Sequence, residues 1–285
     1  MSAVPVIVRY VLQEALRRRV FAVVLLLTVI FLVLFWLANH YVFAEIRTLT
    51  VPTGVPVDAR TFAAAFLTGL ALFATMFLGV VLSIFLTLGA VRGDAERGLL
   101  QPLVVRPVGR STFLIARFLG ALAVTVPYVV CVYLIGVVIT GLTGHWWPDE
   151  IVTPAVEIAG AVALVTAISL LGSVFLSSTA NGIAVFMLFG AGLVAGLLGT
   201  IGHAIGSTAI KHASTVAAYL TPFEALYQDA LREITASTSG VTGFLLQLGP
   251  FGGAYVHGWT VRLWAVAFLI GVGVVALAAF DRRDL

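Results

Sequence analysis

Five stretches of this chain run too long without a charge to fold in water. Val20 to Ala38 is apolar except for Thr28, and no charged residue occurs between Arg60 and Arg92, Arg117 and Asp149, Ile158 and Ile210, or Arg262 and Asp281. Hydrocarbon offers backbone amides no partners but each other, so a crossing segment is a helix of roughly 20 apolar residues. The stretch from Ile158 to Ile210 is long enough for two crossings, with a turn expected at Ser177-Ser178-Thr179-Ala180-Asn181-Gly182. The expectation is an all-α integral membrane protein of six transmembrane helices, at about 20–42, 62–91, 118–142, 158–176, 183–205 and 262–280, in one domain covering 1–285. Pro127 is a candidate kink in the third.

Composition agrees. Only 10% of the residues are charged and mean hydropathy is +1.11, against about 25% charge in soluble domains. A net charge of +3 fits loops facing anionic lipid rather than nucleic acid. Cys131, the single cysteine, lies in an apolar run and excludes an intramolecular disulfide framework. Val42-Phe43-Ala44 resembles a leader cleavage site, but the preceding apolar run exceeds the usual 7–15 residues or so of a secretory core, which favours an uncleaved first helix.

Basic residues set the orientation. With the N-terminus in the cytoplasm, the inner side holds Arg9, Arg17, Arg18, Arg19, Arg92, Arg97, Arg106, Arg110, Arg117, Arg282 and Arg283. The outer side holds Arg47, Arg60, Lys211, Arg232 and Arg262, a split of 11 against 5. Both termini are then cytoplasmic. The five tryptophans fall near outer helix ends, where amphipathic rings are favoured.

Two further segments are expected to lie along the membrane. Val4, Ile7, Val8, Val11, Leu12 and Ala15 form one face of an N-terminal amphipathic helix, with Arg9, Gln13 and Arg17 opposite. Between the fifth and sixth spans, Thr221-Pro222-Phe223-Glu224 combines a capping box with proline at the first helical position. Phe223, Leu226, Tyr227, Ala230, Leu231 and Ile234 share one face of the helix that follows, with Glu224, Gln228, Asp229 and Arg232 largely opposite. The glycine-broken stretch from Gly240 to Thr260 reads as an outer re-entrant or interfacial segment; a seventh span there would put Arg282 and Arg283 outside.

The loop from Arg92 to Arg110 offers a short amphipathic helix between two rigid spans, able to dock into a groove and pass force to both; a solvated basic connector is the plainer reading. Glu96-Arg97-Gly98, Leu100, Leu103, Arg106-Pro107-Val108 and Arg110, followed by Arg117-Phe118-Leu119-Gly120, resemble the coupling-helix region of ATP-binding-cassette exporter permeases of the second (type V) class. Pro102 departs from that pattern. Four other stretches resemble the same family in the same order. They begin at Glu14, Leu176, Pro222 and Phe280, and the likeness is nearest to permeases grouped with multi-copper enzyme maturation.

The resemblance implies a membrane subunit that moves substrate outward across a bacterial or archaeal plasma membrane. Its partners would be a cytoplasmic ATPase subunit, which binds ATP and Mg, and a second permease copy or related permease. Asp94, Glu96, Arg97, Gly98, Leu100, Leu103, Arg106, Pro107 and Arg110 would then meet the ATPase. Lys211 is the sole lysine and lacks a glycine-rich setting, so the chain carries no Walker-type phosphate site and no cofactor of its own is expected. Gly192, Gly196 and Gly199 give span five a small face for close packing, inside the protomer or across a dimer seam; the resemblance favours the seam.

Two other classes are weighed. An intramembrane enzyme needs polar groups at depth, and the span centres offer mainly Thr28, Thr75, Ser83, Thr125, Ser169 and Ser173, residues that usually bond helix carbonyls. No catalytic residue is assigned. A structural or sensory membrane protein without transport is the other. His40, His145, His203, His212 and His257 fall on the outer side, either as a metal or proton site or as scattered interfacial residues. With three methionines and one cysteine there are few soft ligands, and no metal site is assigned.

Overall fold

A computed structural model of the chain describes residues 19–48, 58–88, 109–235 and 258–282, together with Arg9 and Gln13. The described residues form eight helices and no strand: α1 (Arg19–Thr48), α2 (Ala59–Thr87), α3 (Arg110–Gly144), α4 (Val152–Phe175), α5 (Ser178–Ala204), α6 (Thr208–Leu220), α7 (Pro222–Thr235) and α8 (Trp259–Asp281). Six of them, α1 to α5 and α8, are long and apolar enough to cross a membrane, as the charge-free windows require. Apart from Arg9 and Gln13, both helical and exposed, the amphipathic stretch before Arg19 lies outside the described residues, as do the loop from 89 to 108 and the glycine-rich stretch from 236 to 257.

Several boundaries differ from expectation. The third span begins near Ser111 rather than 118 because Arg117 lies within the helix, nearly buried, its guanidinium 5.4 Å from the Phe113 ring centroid. That stacking satisfies a cation a sequence reading treats as a stop. The fourth begins at Val152 rather than 158 and so takes in Glu157. Between α4 and α5 the break is only Leu176-Ser177; Asn181, expected in the turn, is helical and fully buried, its amide donating to Ser169 O at 2.9 Å. Pro127 lies inside α3, which continues through it.

α2, α3 and α4 form the centre of the bundle. Their approach is set by small residues: a Cβ on Gly79 would stand 2.5 Å from Val129 Cγ1 and 2.9 Å from Val162 Cγ2, so three helices meet at one glycine. The span hydroxyls largely follow the carbonyl pattern. Thr28, Thr75, Thr125 and Thr166 donate to the carbonyl four residues back, and Ser173 to the one three back, at 2.7–3.1 Å. Hydroxyl pairs Thr87–Ser169 (2.6 Å), Thr166–Ser83 (2.9 Å) and Thr28–Tyr128 (2.5 Å) then link neighbouring spans.

Candidate functional site

α7 is not an element resting on a surface. Every residue from Thr221 to Ala230 is buried, including Glu224, Gln228 and Asp229 of the side expected to face water. Glycines on three spans make the room. A Cβ on Gly69 of α2 would meet Leu231 at 2.8 Å, one on Gly160 of α4 would meet Leu226 at 3.3 Å, and one on Gly192 of α5 would meet Phe223 at 3.1 Å. Phe223 also stacks on Phe189, and Tyr227 lies edge-on to Phe73.

Lining both sides of a short buried helix with polar groups demands partners for each. On one side the partner is Arg262, in the first turn of α8. Its Nε donates to Glu157 Oε1 of α4 at 2.7 Å, and its Nη2 lies 3.3 Å from both Asp229 Oδ2 and Glu233 Oε1 of α7. Trp259 lies beneath the guanidinium, 5.7 Å from ring centroid to Cζ. Gly258 completes the junction. At φ +79°, a conformation that side-chain-bearing residues rarely adopt, its N–H donates to Asp229 Oδ2 at 3.2 Å. Glu157 is 3% exposed and Asp229 0%, so three carboxylates meet one guanidinium largely out of water. Such a junction adds little net stability but costs several kcal/mol if one partner is lost. It pins α4, α7 and α8 to one geometry.

On the opposite side of α7, Glu224 Oε1 accepts from Gln228 Nε2 at 2.8 Å against Gly196 of α5. Burial pushes the Glu224 carboxyl up to about 8, with the Gln228 amide working against the rise. Gly192 and Gly196, expected to allow close packing either inside the protomer or across a dimer seam, pack within the chain against α7; Gly199 is buried on the same helix.

Of the expected coupling residues, Asp94, Glu96, Arg97, Gly98, Leu100, Leu103, Arg106 and Pro107 lie outside the described residues; Arg110 opens α3 behind the exposed Gly109. Among the described residues no three His, Cys, Asp or Glu side chains are grouped to hold a metal. His40 stacks on Trp36 instead. Sequence reading missed Glu157, Asp229, Glu233 and Arg262 as a unit. One signal was present: Glu157 and Arg262 each stand alone beside an apolar window, and a lone charge at that position needs a partner of opposite sign.

The described residues thus define a six-span helical membrane protein with a buried helix between the fifth and sixth spans. Residues 6–285 match the family described as ABC-2 family transporter protein, and the chain belongs to that family. Among curated proteins none matches it closely enough to count as a relative.

Proposed function

We propose that this chain is the membrane-spanning subunit of an ATP-binding-cassette exporter, of the type V class and nearest to the multi-copper enzyme maturation permeases. In this reading the whole chain is one permease domain with both termini in the cytoplasm. It moves substrate outward with ATP hydrolysed by a separate ATPase chain. The observation that carries the reading is the family match across nearly the whole length, joined to six spans and no phosphate-binding lysine of its own.

The loop before α3 supplies the contact with the ATPase, through Asp94, Glu96, Arg97, Gly98, Leu100, Leu103, Arg106, Pro107 and Arg110. A second permease copy, or a related permease, pairs alongside. Gly192 and Gly196 are occupied by α7, so the pairing face of span five is better sought on its exposed apolar stripe, Ile183, Met187, Val194 and Leu198.

Glu96→Ala combined with Arg97→Ala tests the reading. Both charges lie in a loop between spans, so the permease should still fold. Copurification of the ATPase should weaken, or the ATPase should stay bound without driving export; losing one partner of a desolvated charge pair costs roughly 2–5 kcal/mol. Arg47→Ala, at the other end of span one, should change neither. Full ATP-driven export by the double variant would remove the mechanical basis of the proposal.

A further inference from the structure

Glu224 is a buried acid that the transport reading does not use. It is 3% exposed, Oε1 accepts its one described hydrogen bond from Gln228, and among the described residues Oε2 has no donor. Span five stands close against it: a Cβ on Gly196 would stand 2.7 Å from Oε1, and one on Gly192 3.3 Å from the Glu224 Cβ. Among the described residues no cation is paired with it.

On α7 itself the cation is Arg232, eight residues and about two turns beyond Glu224. Glu157 of α4 and Arg262 of α8 bind each other, on the side of α7 that Asp229 and Glu233 share, roughly 140–180° round the helix from Glu224. On α2 the ionisable group is Arg60, whose Nε donates to Gly144 O at 2.7 Å. α5 has none from Ser178 to Gly202 and His203 beyond; α6 carries Lys211, His212 and Tyr219, and the far end of α8 carries Asp281. Tyr227, within a turn of Glu224 and with its buried hydroxyl unpartnered among the described residues, does feel the carboxyl: burial first, and then the Glu224 charge, push its phenol well up.

An ionised carboxylate held by one neutral amide in such a place is strongly disfavoured unless water or a cation reaches it. On the face turned to span five, the close approach of Gly196 leaves room for neither.

We propose that Glu224 is a proton-binding site that sets the contact between α7 and span five: that face of α7 lies against Gly192 and Gly196 when the carboxyl is neutral and separates from span five when the proton leaves, while the Arg262 junction keeps the other side of α7 on α4 and α8.

The direction follows from linkage. A carboxyl held near 8 when seated, and at its ordinary value when free, favours the seated state fully below about pH 4 to 5. That preference falls as pH rises and is gone once the pH has passed about 8. Near neutrality the helix is seated but about one pH unit from release. This inference goes beyond the transport reading, and its test measures helix position rather than export, so the two stand or fall separately.

Ala225, 5% exposed on α7, reports the seat. Ala225→Cys is placed in a Cys131→Ser chain, and its reaction with a membrane-permeant maleimide is followed from pH 6 to 9.5 in membranes. The same cysteine in a Glu224→Gln chain gives the reference, since glutamine copies the neutral acid and cancels the thiol's own titration. The ratio of the two rates should be near one at pH 6 and rise several-fold with a midpoint near 8. Gln228→Leu should move that midpoint upward, because the amide favours the ionised form. A flat ratio across the range overturns the proposal, as does an unmoved midpoint in Gln228→Leu. If Glu224→Gln does not fold, Gln228→Leu against the parent chain decides the matter by the same midpoint.

Discussion

Arg262 and Glu157 are 105 residues apart in the chain and 2.7 Å apart in space, Nε to Oε1. One guanidinium answers three carboxylates, so its loss should be felt more than the loss of any one of them. Arg262→Met should destabilise the purified protein by about 3–5 kcal/mol. Glu157→Gln should cost less, because Asp229 and Glu233 still hold the cation. Glu233→Gln, with a side chain 24% exposed, should cost about 0–1 kcal/mol. Thermal unfolding of the three variants in one detergent gives the ranking; equal losses would mean that Arg262 is not the hub.

Two glycines should behave oppositely. Gly79→Val pushes methyl groups into Val129 and Val162 and should cost roughly 1–3 kcal/mol or more. Gly271 of α8 has nothing within 4 Å of an added Cβ, so Gly271→Val should leave the melting temperature of the solubilised monomer nearly unchanged.

Asp58 caps α2, accepting from Arg60 N–H at 3.0 Å and from the Thr61 hydroxyl. The Thr61 hydrogen bond, helped by backbone N–H groups and the Arg60 charge, holds its carboxyl below the ordinary value. A lowered acid contributes stability above its unfolded value and loses it as pH falls through the folded one. Asp58→Ala should therefore cost about 1 kcal/mol near neutrality, and the gap between variant and parent should shrink below about pH 4. A gap that stays constant down to pH 2 would assign the loss to something other than the charged cap.

Orientation is testable with single cysteines in a Cys131→Ser chain. Gly109 precedes α3 and Asp149 follows it, and both are exposed. In intact cells an impermeant thiol reagent should label Asp149→Cys and leave Gly109→Cys untouched. The reverse pattern would invert the topology and place the Arg92–Arg110 loop out of the ATPase's reach.

Six spans were legible because hydrocarbon filters sequence by length and charge alone, as the run from Arg117 to Asp149 illustrates. The same filter mislaid the boundaries: Arg117 and Glu157 read as ends, yet each lies inside a helix that supplies it with a ring or a counter-charge. The helix from Pro222 was legible in its cap and periodicity, but not in its burial. A two-faced pattern predicts a surface element, and nothing local to Glu224 or Asp229 reveals that Gly196 waits on one side and Arg262 on the other. Asp229 and Glu233 are one turn apart, but Glu157 and Arg262 lie too far from them in the chain for spacing to group the four.

The junction also imposes an order on biogenesis. A ribosome making about 5–20 residues per second delivers Glu157 to the translocation machinery ~5–20 s before Arg262, which follows 105 residues later. Through that interval the nascent chain carries carboxylates at Glu157 and Asp229 that have no counter-charge, and the final helix is what neutralises them. A chain stopped just short of Arg262 should thus stay open to membrane proteases and insertion chaperones, with α4 and α7 unlocked, until the last helix arrives to close the molecule.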